Sequence, residues 1–327
     1  MIVFSDLHLS EDSEITVFQK VLPGILEAAK GDDGVIACLG DFWHVRYKIP
    51  VALQNQVAMW LRALKREGFQ LYLLPGNHDQ INSVGENALE VFADLDHVTV
   101  ITEPVWNRYG LWIPYRKERA DIERALALPV PPMAAPPVLW LHHGVKGAEM
   151  APGVLGEIGM EPGVFARWHL VLCGHFHKRQ WLGNIVYVGS PYQVTAAEAD
   201  QPKGYAIWNP DTGEFVWRDT AWGKRYHNVD LTQGNAREIL QSRVAVPGDE
   251  VRIHGGNSRE SEEWVKAFQK SGAHCVAEVK AEAPPQRLEV GLNPTLEGYA
   301  RAFAQKAISL PEEAEAAMAV YREIAQS

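Results

Sequence analysis

The sequence predicts an α/β fold built in layers, followed by a smaller α/β unit and terminal helices, and three observations carry this expectation. First, short apolar β-type runs recur at residues 2–4, 35–39, 69–74, 98–101, 138–141, 170–173, 185–188 and 205–208. Most are apolar throughout, as strands covered on both faces must be. Second, helical patterns lie between several of them, at 15–30 and 51–67; in the latter Leu53, Val57, Trp60, Leu61 and Leu64 share one face. Third, polar motifs stand immediately after the strands that end at residues 4, 39, 74, 141 and 173. Loops leave the sheet ends there and converge in space, which is where layered α/β folds place their active sites.

Beyond residue 223 the pattern changes. Residues 251–254, 261–271 and 274–279 read as strand, helix and strand, with Trp264, Val265 and Phe268 on the apolar side of the helix and Gly272 ending it. Past the break at Pro284 and Pro285, Leu296, Tyr299, Phe303 and Ala307 mark one amphipathic helix. Ala314, Ala317, Tyr321 and Ile324 mark a second, with Pro311 between them. The expected division is a main domain over 1–223, a small unit over 224–284 and a helical segment over 285–327. The Pro-rich stretch at 129–137 reads as a surface connection.

Length and composition narrow the class further. A chain of 327 residues suffices for one sizeable core and one smaller appended unit. With 46% hydrophobic and 22% charged residues it belongs with ordinary globular proteins, not with disordered or collagenous chains. A net charge of -10 argues against a surface that attracts nucleic acid everywhere, yet leaves room for a local basic groove. Cys38, Cys173 and Cys275 are odd in number and set in apolar runs, so they read as buried, reduced thiols. The first polar motif begins at Asp6, directly behind one short strand, which leaves no room for a signal peptide. No apolar run is long enough to span a bilayer. The expected location is cytoplasmic, with no membrane partner.

The polar motifs are Asp6-Leu7-His8, Gly40-Asp41, Gly76-Asn77-His78-Asp79, His142-His143 and Gly174-His175-Phe176-His177. In an extended segment residues i and i+2 point to the same side, so Asp6 and His8 can reach one ion, as can His175 and His177. One Asp-x-His triplet is a weak signal; five motifs in order are a strong one. Gly40 permits a tight turn that brings the Asp41 carboxylate close to an ion pair, and its two oxygens can bridge two metals. Asn77 offers a neutral carbonyl oxygen. His142 and His143 are adjacent in a strand and face opposite ways, so one of them can be a ligand. Carboxylates, an amide oxygen and imidazoles without paired thiolates suit two divalent ions, manganese first, with magnesium, iron or zinc open. Polar clusters at five strand ends have no packing use, which sets aside a purely structural reading.

These motifs, in this order, resemble the calcineurin-like metallophosphoesterase superfamily. The resemblance implies a layered sandwich of two central β-sheets flanked by helices. It implies that Asp6, His8, Asp41 and His177 hold one metal while Asp41, Asn77, His142 and His175 hold the other, with Asp41 as the bridge. His142 is taken over His143 by motif position. His78 is expected to face the scissile phosphate as general acid or transition-state stabiliser, with Asp79 accepting its other ring proton. The reaction implied is phosphodiester hydrolysis by a two-metal-activated hydroxide, attacking phosphorus in line.

Two stretches narrow the resemblance. Gly40-Asp41-Phe42-Trp43-His44 with Pro50, and the segment from Tyr187 through Gly189-Ser190-Pro191 to Gln193 with Glu198 and Lys203-Gly204 behind it, are similar to DNA repair nucleases of the SbcD type. That group includes the phage recombination endonuclease subunits. Residues 248–282 resemble the group's small capping domain. The terminal helices resemble its docking hairpin for an SMC-like coiled-coil ATPase of the SbcC type. The resemblance thus implies a metal-dependent DNA nuclease of recombination and double-strand-break repair, a homodimer, in a bacterial or phage-infected cytosol. Arg46, Tyr47 and Lys48, then Tyr115, Arg116 and Lys117, then Lys178 and Arg179 stand in loops beside the site, where they can neutralise a DNA backbone. Arg46 and Lys178 are the expected substrate contacts, joined by His44 through the resemblance. Two other classes remain: a small-molecule phosphodiesterase or phosphomonoesterase, which needs the same metals but no cap, and a silent binding module, which has no use for a complete ligand set.

Overall fold

The structure is a computed structural model that describes residues 1–82, 85–132, 136–151, 153–199, 201–233, 249–255, 258–270 and 273–278. The expected helices of 285–327, the Pro284-Pro285 break, Gly272, Val279 and the middle of the Pro-rich connection lie outside the described residues.

Along the chain come β1 (Ile2–Phe4), α1 (Leu22–Lys30), β2 (Val35–Cys38), α2 (Val51–Glu67), β3 (Gln70–Leu73) and β4 (Val98–Val100). There follow β5 (Val105–Asn107), β6 (Gly110–Ile113), α3 (Arg119–Leu126), β7 (Val138–His142), β8 (Glu149–Ala151), β9 (Val154–Leu155) and β10 (Leu170–Gly174). Next are β11 (Gln180–Leu182), β12 (Ile185–Tyr187), β13 (Gly204–Trp208) and β14 (Phe215–Asp219). The last described elements are β15 (Tyr226–Asp230), β16 (Glu250–His254), α4 (Ser258–Gln269) and β17 (His274–Glu278).

Two six-stranded sheets form the main unit, in the orders β14-β13-β1-β2-β3-β4 and β11-β12-β10-β7-β6-β5. The inner strands of both are parallel, while β13, β14, β11 and β5 join antiparallel. Side chains alternate across a strand, and the sequence uses both faces. Ile2, Phe4, Ile36, Cys38, Leu71 and Leu73 point to the helical side, where they meet Val21, Ile25, Val57, Leu61 and Leu64. Val3, Val35, Ala37 and Leu39 point the other way, onto Trp112, Trp140, Leu172 and Val186 of the second sheet. The second sheet's outer face, with Leu111, Leu139, Leu141 and Val171, is covered by Ile122 and Leu126 of α3 and by Phe165 and Trp168. The result is a helix–sheet–sheet–helix sandwich, and it explains why the central strands carry apolar residues at consecutive positions.

Between the sheets the indoles of Trp112 and Trp140 lie parallel at 4.3 Å. Each has its N–H satisfied, Trp112 by Asn107 Oδ1 at 2.9 Å and Trp140 by the Tyr109 carbonyl at 2.8 Å. Helix α2 buries the five residues of its apolar face. It stops at Gly68, whose φ of 75° gives the left-handed cap that a side chain would resist.

The small unit differs from expectation by one strand. The sequence reading gives strand, helix and strand; β15 adds a third, and the sheet runs β15-β16-β17, all parallel. Its core is Val229, Val251, Ile253 and Phe268, packed against Trp264 and Val265. The Tyr226 amide donates to Gln193 Oε1 at 2.6 Å, linking this sheet to the segment behind the Gly-Ser-Pro turn. Among the described residues, no helix is long and apolar enough to cross a membrane.

Candidate metal centre

The parallel strands deliver their polar ends to one place. Asp6 follows β1, Asp41 follows β2, Asn77 follows β3, His142 ends β7 and His175 follows β10. The loops are stitched together by main-chain bonds, Asp6 N–H to the Gly40 carbonyl at 3.0 Å and His8 N–H to the Asp41 carbonyl at 2.9 Å. Three groups of ligand-type side chains result among the described residues: Asp6 with His8 and His177, Asp41 with His142 and His175, and His8 with His44 and His78.

The convergence is reached differently from the sequence expectation. Asp6 and His8 are not in extended strand. Their φ angles are 54° and 47°, Asp41 stands at 51° and His175 at 94°, and these are the positive-φ residues other than glycine among those described. Four non-glycine residues in sparsely populated backbone regions, all at one centre, are strain held in place by the surrounding packing. Two glycines make the close approach possible. A Cβ on Gly40 would lie 2.2 Å from His142 Nδ1, and one on Gly76 would lie 2.2 Å from Asp41 Oδ1.

Ring orientations follow from the hydrogen bonds. His142 is fully buried, and its Nδ1–H donates to the Leu39 carbonyl at 2.6 Å. That leaves Nε2 facing Asp41 Oδ1 at 3.4 Å and Asn77 Oδ1 at 3.1 Å. His175 Nδ1 lies 2.8 Å from the same Asn77 oxygen. His177 Nδ1–H donates to Glu198 Oε1 at 2.8 Å, so its Nε2 faces His8 Nε2, 2.9 Å away. His143 turns instead toward Tyr115, with ring centroids 5.8 Å apart, so of the adjacent pair it is His142 that enters the cluster.

Ring nitrogens, the Asn77 amide oxygen and carboxylate oxygens thus converge on the centre, as the ligands of a cation do. The electrostatics agree. Burial alone would lower the His142 ring, but Asp41, Asp6 and the Leu39 carbonyl raise it to about 9. Burial would raise Asp41, but His142, His8 and His78 hold it well below the ordinary carboxylate range. Burial, with His142 nearby, drives His175 down to about 3, keeping a neutral imidazole. Without an ion, a proton on His142 Nε2 answers Asp41 and Asn77; a divalent ion would take that proton's place, beside the neutral His175 ring and the carboxylates. Asp6, His8, Asp41 and His177 would surround one, and Asp41, Asn77, His142 and His175 the other.

The remaining residues divide. His78 Nδ1–H donates to the His44 carbonyl at 2.8 Å, and the two rings stack at 5.6 Å. His44 Nδ1 lies 3.3 Å from His8 Nδ1, which gathers His8, His44 and His78 as a further group of ring nitrogens. Asp79 corrects the sequence reading, which has it orient the His78 ring. Its carboxylate instead accepts backbone N–H groups from Trp43 at 2.9 Å, Gly76 at 2.9 Å and Phe42 at 3.2 Å. It is fully buried, pushed up to about 7 by burial and by Asp41. Its work is to fasten the loop after β3 to the loop after β2, and adjacency in sequence misleads because neighbouring side chains diverge.

Of the basic residues expected beside the site, Arg46 and Lys117 line a cleft of about 380 Å³ with Tyr47, Tyr115, Gln80 and Asn77. The structure gives Lys178 a different partner from the one expected, pairing its ammonium with Glu149. Arg179 pairs with Asp219, and Arg116 with Glu103 at 2.8 Å and the Thr102 carbonyl at 2.7 Å. The residues that sequence reasoning missed are Glu198 and Lys203. They stood in the family-like segment without a role, and nothing in their spacing from His177 points to a contact.

Comparison with known proteins agrees with this geometry. One curated relative, exonuclease subunit 1 of Enterobacteria phage T4, is 25% identical over 194 residues. The alignment covers 58% of this chain and 57% of the phage protein's length. The calcineurin-like phosphoesterase family matches residues 1–179, which contain every ligand-type residue of the centre. With that match over more than half its length, the chain belongs to the calcineurin-like phosphoesterase family and carries the hydrolase domain of those enzymes, which act on phosphoesters with divalent metals.

Proposed function

We propose that this chain is a metal-dependent DNA nuclease, working in recombination and double-strand-break repair with an SMC-like ATPase. The observation that carries the nucleic-acid reading is the cleft that opens from Asn77 between Arg46, Tyr47, Tyr115 and Lys117. Cations hold phosphates, and tyrosine rings hold sugars and bases without regard to sequence. A groove with both along its walls, leading out of a phosphoesterase centre, suits a chain of phosphodiesters better than one small ester. The exonuclease name of the phage relative and the Gly189-Ser190-Pro191 segment support the same reading.

Two bound divalent ions, manganese by preference, would supply Lewis acidity and a lowered pKa for water at neutral pH. The chain's own residues do the rest. Asp41 holds the two positions together, and its Oδ1 accepts the His78 amide at 2.8 Å, fixing the loop that presents the His78 ring. With Nδ1–H on the His44 carbonyl, His78 keeps Nε2 for proton transfer to the leaving oxygen. Arg46 and Lys117 would hold the flanking phosphates.

The test offers manganese-loaded protein linear duplex DNA, single-stranded DNA and a chromogenic phosphodiester. Cleavage of DNA is expected, lowered about 10²–10⁴-fold by His78→Ala and abolished by Asp41→Asn. Intact DNA beside turnover of the small ester would defeat the nuclease reading and leave a small-molecule phosphoesterase.

A further inference from the structure

His177 is held by a buried ion pair that stands outside the metal cluster. Glu198 and Lys203 are 5% and 6% exposed, and Lys203 Nζ lies 2.6 Å from Glu198 Oε2. The Glu198 carboxylate is saturated. Oε1 accepts from His177 Nδ1 at 2.8 Å and from the Thr195 amide and hydroxyl, each at 3.1 Å. Oε2 accepts from the Val194 amide and the Ser190 hydroxyl, each at 3.2 Å. Lys203 reaches the same histidine from its other end, donating to the His177 carbonyl at 2.8 Å and to Ser190 Oγ at 2.8 Å. One ion pair thus grips both the ring and the main chain of His177.

Among the described residues, no other imidazole of the cluster has such a carboxylate behind it, and His8 Nδ1 faces the His44 ring at 3.3 Å. His142 leans on a neutral carbonyl, that of Leu39, and His175 Nδ1 faces the Asn77 amide oxygen. A carboxylate behind an imidazole fixes its tautomer and makes it a stronger donor, and removing such a partner costs about 10–100-fold in metal affinity. Lys203 immediately precedes β13, the neighbour of β1, which leads into Asp6 and His8. The pair therefore joins the loop bearing His177 to the strand beside the other residues of the same metal position.

We infer that Glu198, clamped by Lys203, is a positioning residue for His177 that sets the affinity of one metal position, the one shared with Asp6 and His8, and leaves the other unaffected. The inference rests on the two-metal reading of the centre. The competing role for Glu198 is as the end of a capping box with Thr195, which the structure also shows.

The two roles separate in a manganese titration of metal-free protein, read by electron paramagnetic resonance, with thermal midpoints of the metal-free forms measured alongside. Wild type is expected to bind two ions. Glu198→Gln is expected to weaken one position about 10–100-fold and leave the other at its wild-type value. Thr195→Ala, which removes the capping hydroxyl but not the His177 contact, is expected to lower the midpoint with both affinities intact. If Glu198→Gln does not fold, Glu198→Asp keeps the charge beside Lys203 while drawing it back from His177, and the same selective loss is expected. Wild-type affinities at both positions in the glutamate variants, or equal weakening at both, would overturn the inference. Fewer than two ions in wild type would overturn the metal-centre reading beneath it.

Discussion

The main sandwich and the small three-stranded unit are both α/β layers with parallel strands at their centres, yet they treat their polar groups in opposite ways. In the small unit Asp249 meets donors, Arg225 Nη2 at 2.9 Å and His227 Nε2 at 3.0 Å, so a carboxylate beside its sheet is answered from within the fold. At the strand ends of the sandwich, His142 Nε2 and His175 Nδ1 crowd Asn77 Oδ1 and the Asp41 carboxylate, with Asp41 and His175 on backbone held at positive φ. The difference shows what separates a structural carboxylate from a binding cluster: the first meets its donors within the fold, and the second gathers ligand-type groups that a cation would join.

The comparison breaks most visibly at Gly76. Replacing it with alanine puts a methyl group 2.2 Å from Asp41 Oδ1 and 2.3 Å from the Asp41 amide. Displacing the Asp41 carboxylate by about an ångström is expected to cost about 10²-fold or more in phosphoester turnover. Wild-type turnover in Gly76→Ala would mean that the tight packing around Asp41 is incidental.

A smaller effect is expected from Phe268→Ala, which empties the core of the small unit at a fully buried position. Loss of about 3–5 kcal/mol is expected, seen as early unfolding of that unit in hydrogen exchange. Turnover of a small chromogenic ester by the main unit should stay near wild type while DNA cleavage weakens. Equal loss on both substrates would show that the two regions are one cooperative body.

The smallest effect concerns Asp249. Burial would raise its carboxyl, but the hydrogen bonds from His227 and Arg225 hold it below the ordinary value. A carboxyl with a depressed folded pKa binds fewer protons than in the unfolded chain, so its contribution is present at neutral pH and lost as pH falls below about 4. The denaturant midpoint of wild type should therefore drop toward that of Asp249→Asn on going from pH 6 to pH 3. A gap between them that stays constant with pH would sink this.

How much of this was legible in the sequence follows from the same physics. Strands buried on both faces announce themselves as apolar runs, so residues 2–4, 35–38 and 170–174 were readable, as was the single apolar face of α2. The edge strands β5, β11 and β14 were not. They are half-exposed, with mixed residues such as Val105, Trp106 and Asn107, and edges need no apolar run. Helix α3 hid behind the charges of Arg119, Asp121, Glu123 and Arg124. The ligand-type residues were legible because each stands where a strand ends, even though the i, i+2 argument for Asp6 and His8 assumed an extended backbone that they do not have. Partners across the fold were not legible. Glu198 stood in the family-like segment with no role attached, Lys178 read as a contact for the substrate, and Asp79 as the companion of His78.

Loops from two sheets bring the ligand-type residues together around Asp41, and two ions are expected there. Anomalous scattering from manganese-soaked crystals tests this most directly. The account predicts two peaks astride Asp41, one beside Asp6, His8 and His177 and the other beside Asn77, His142 and His175. A single peak, or peaks among His8, His44 and His78 with none touching Asp41, would contradict it.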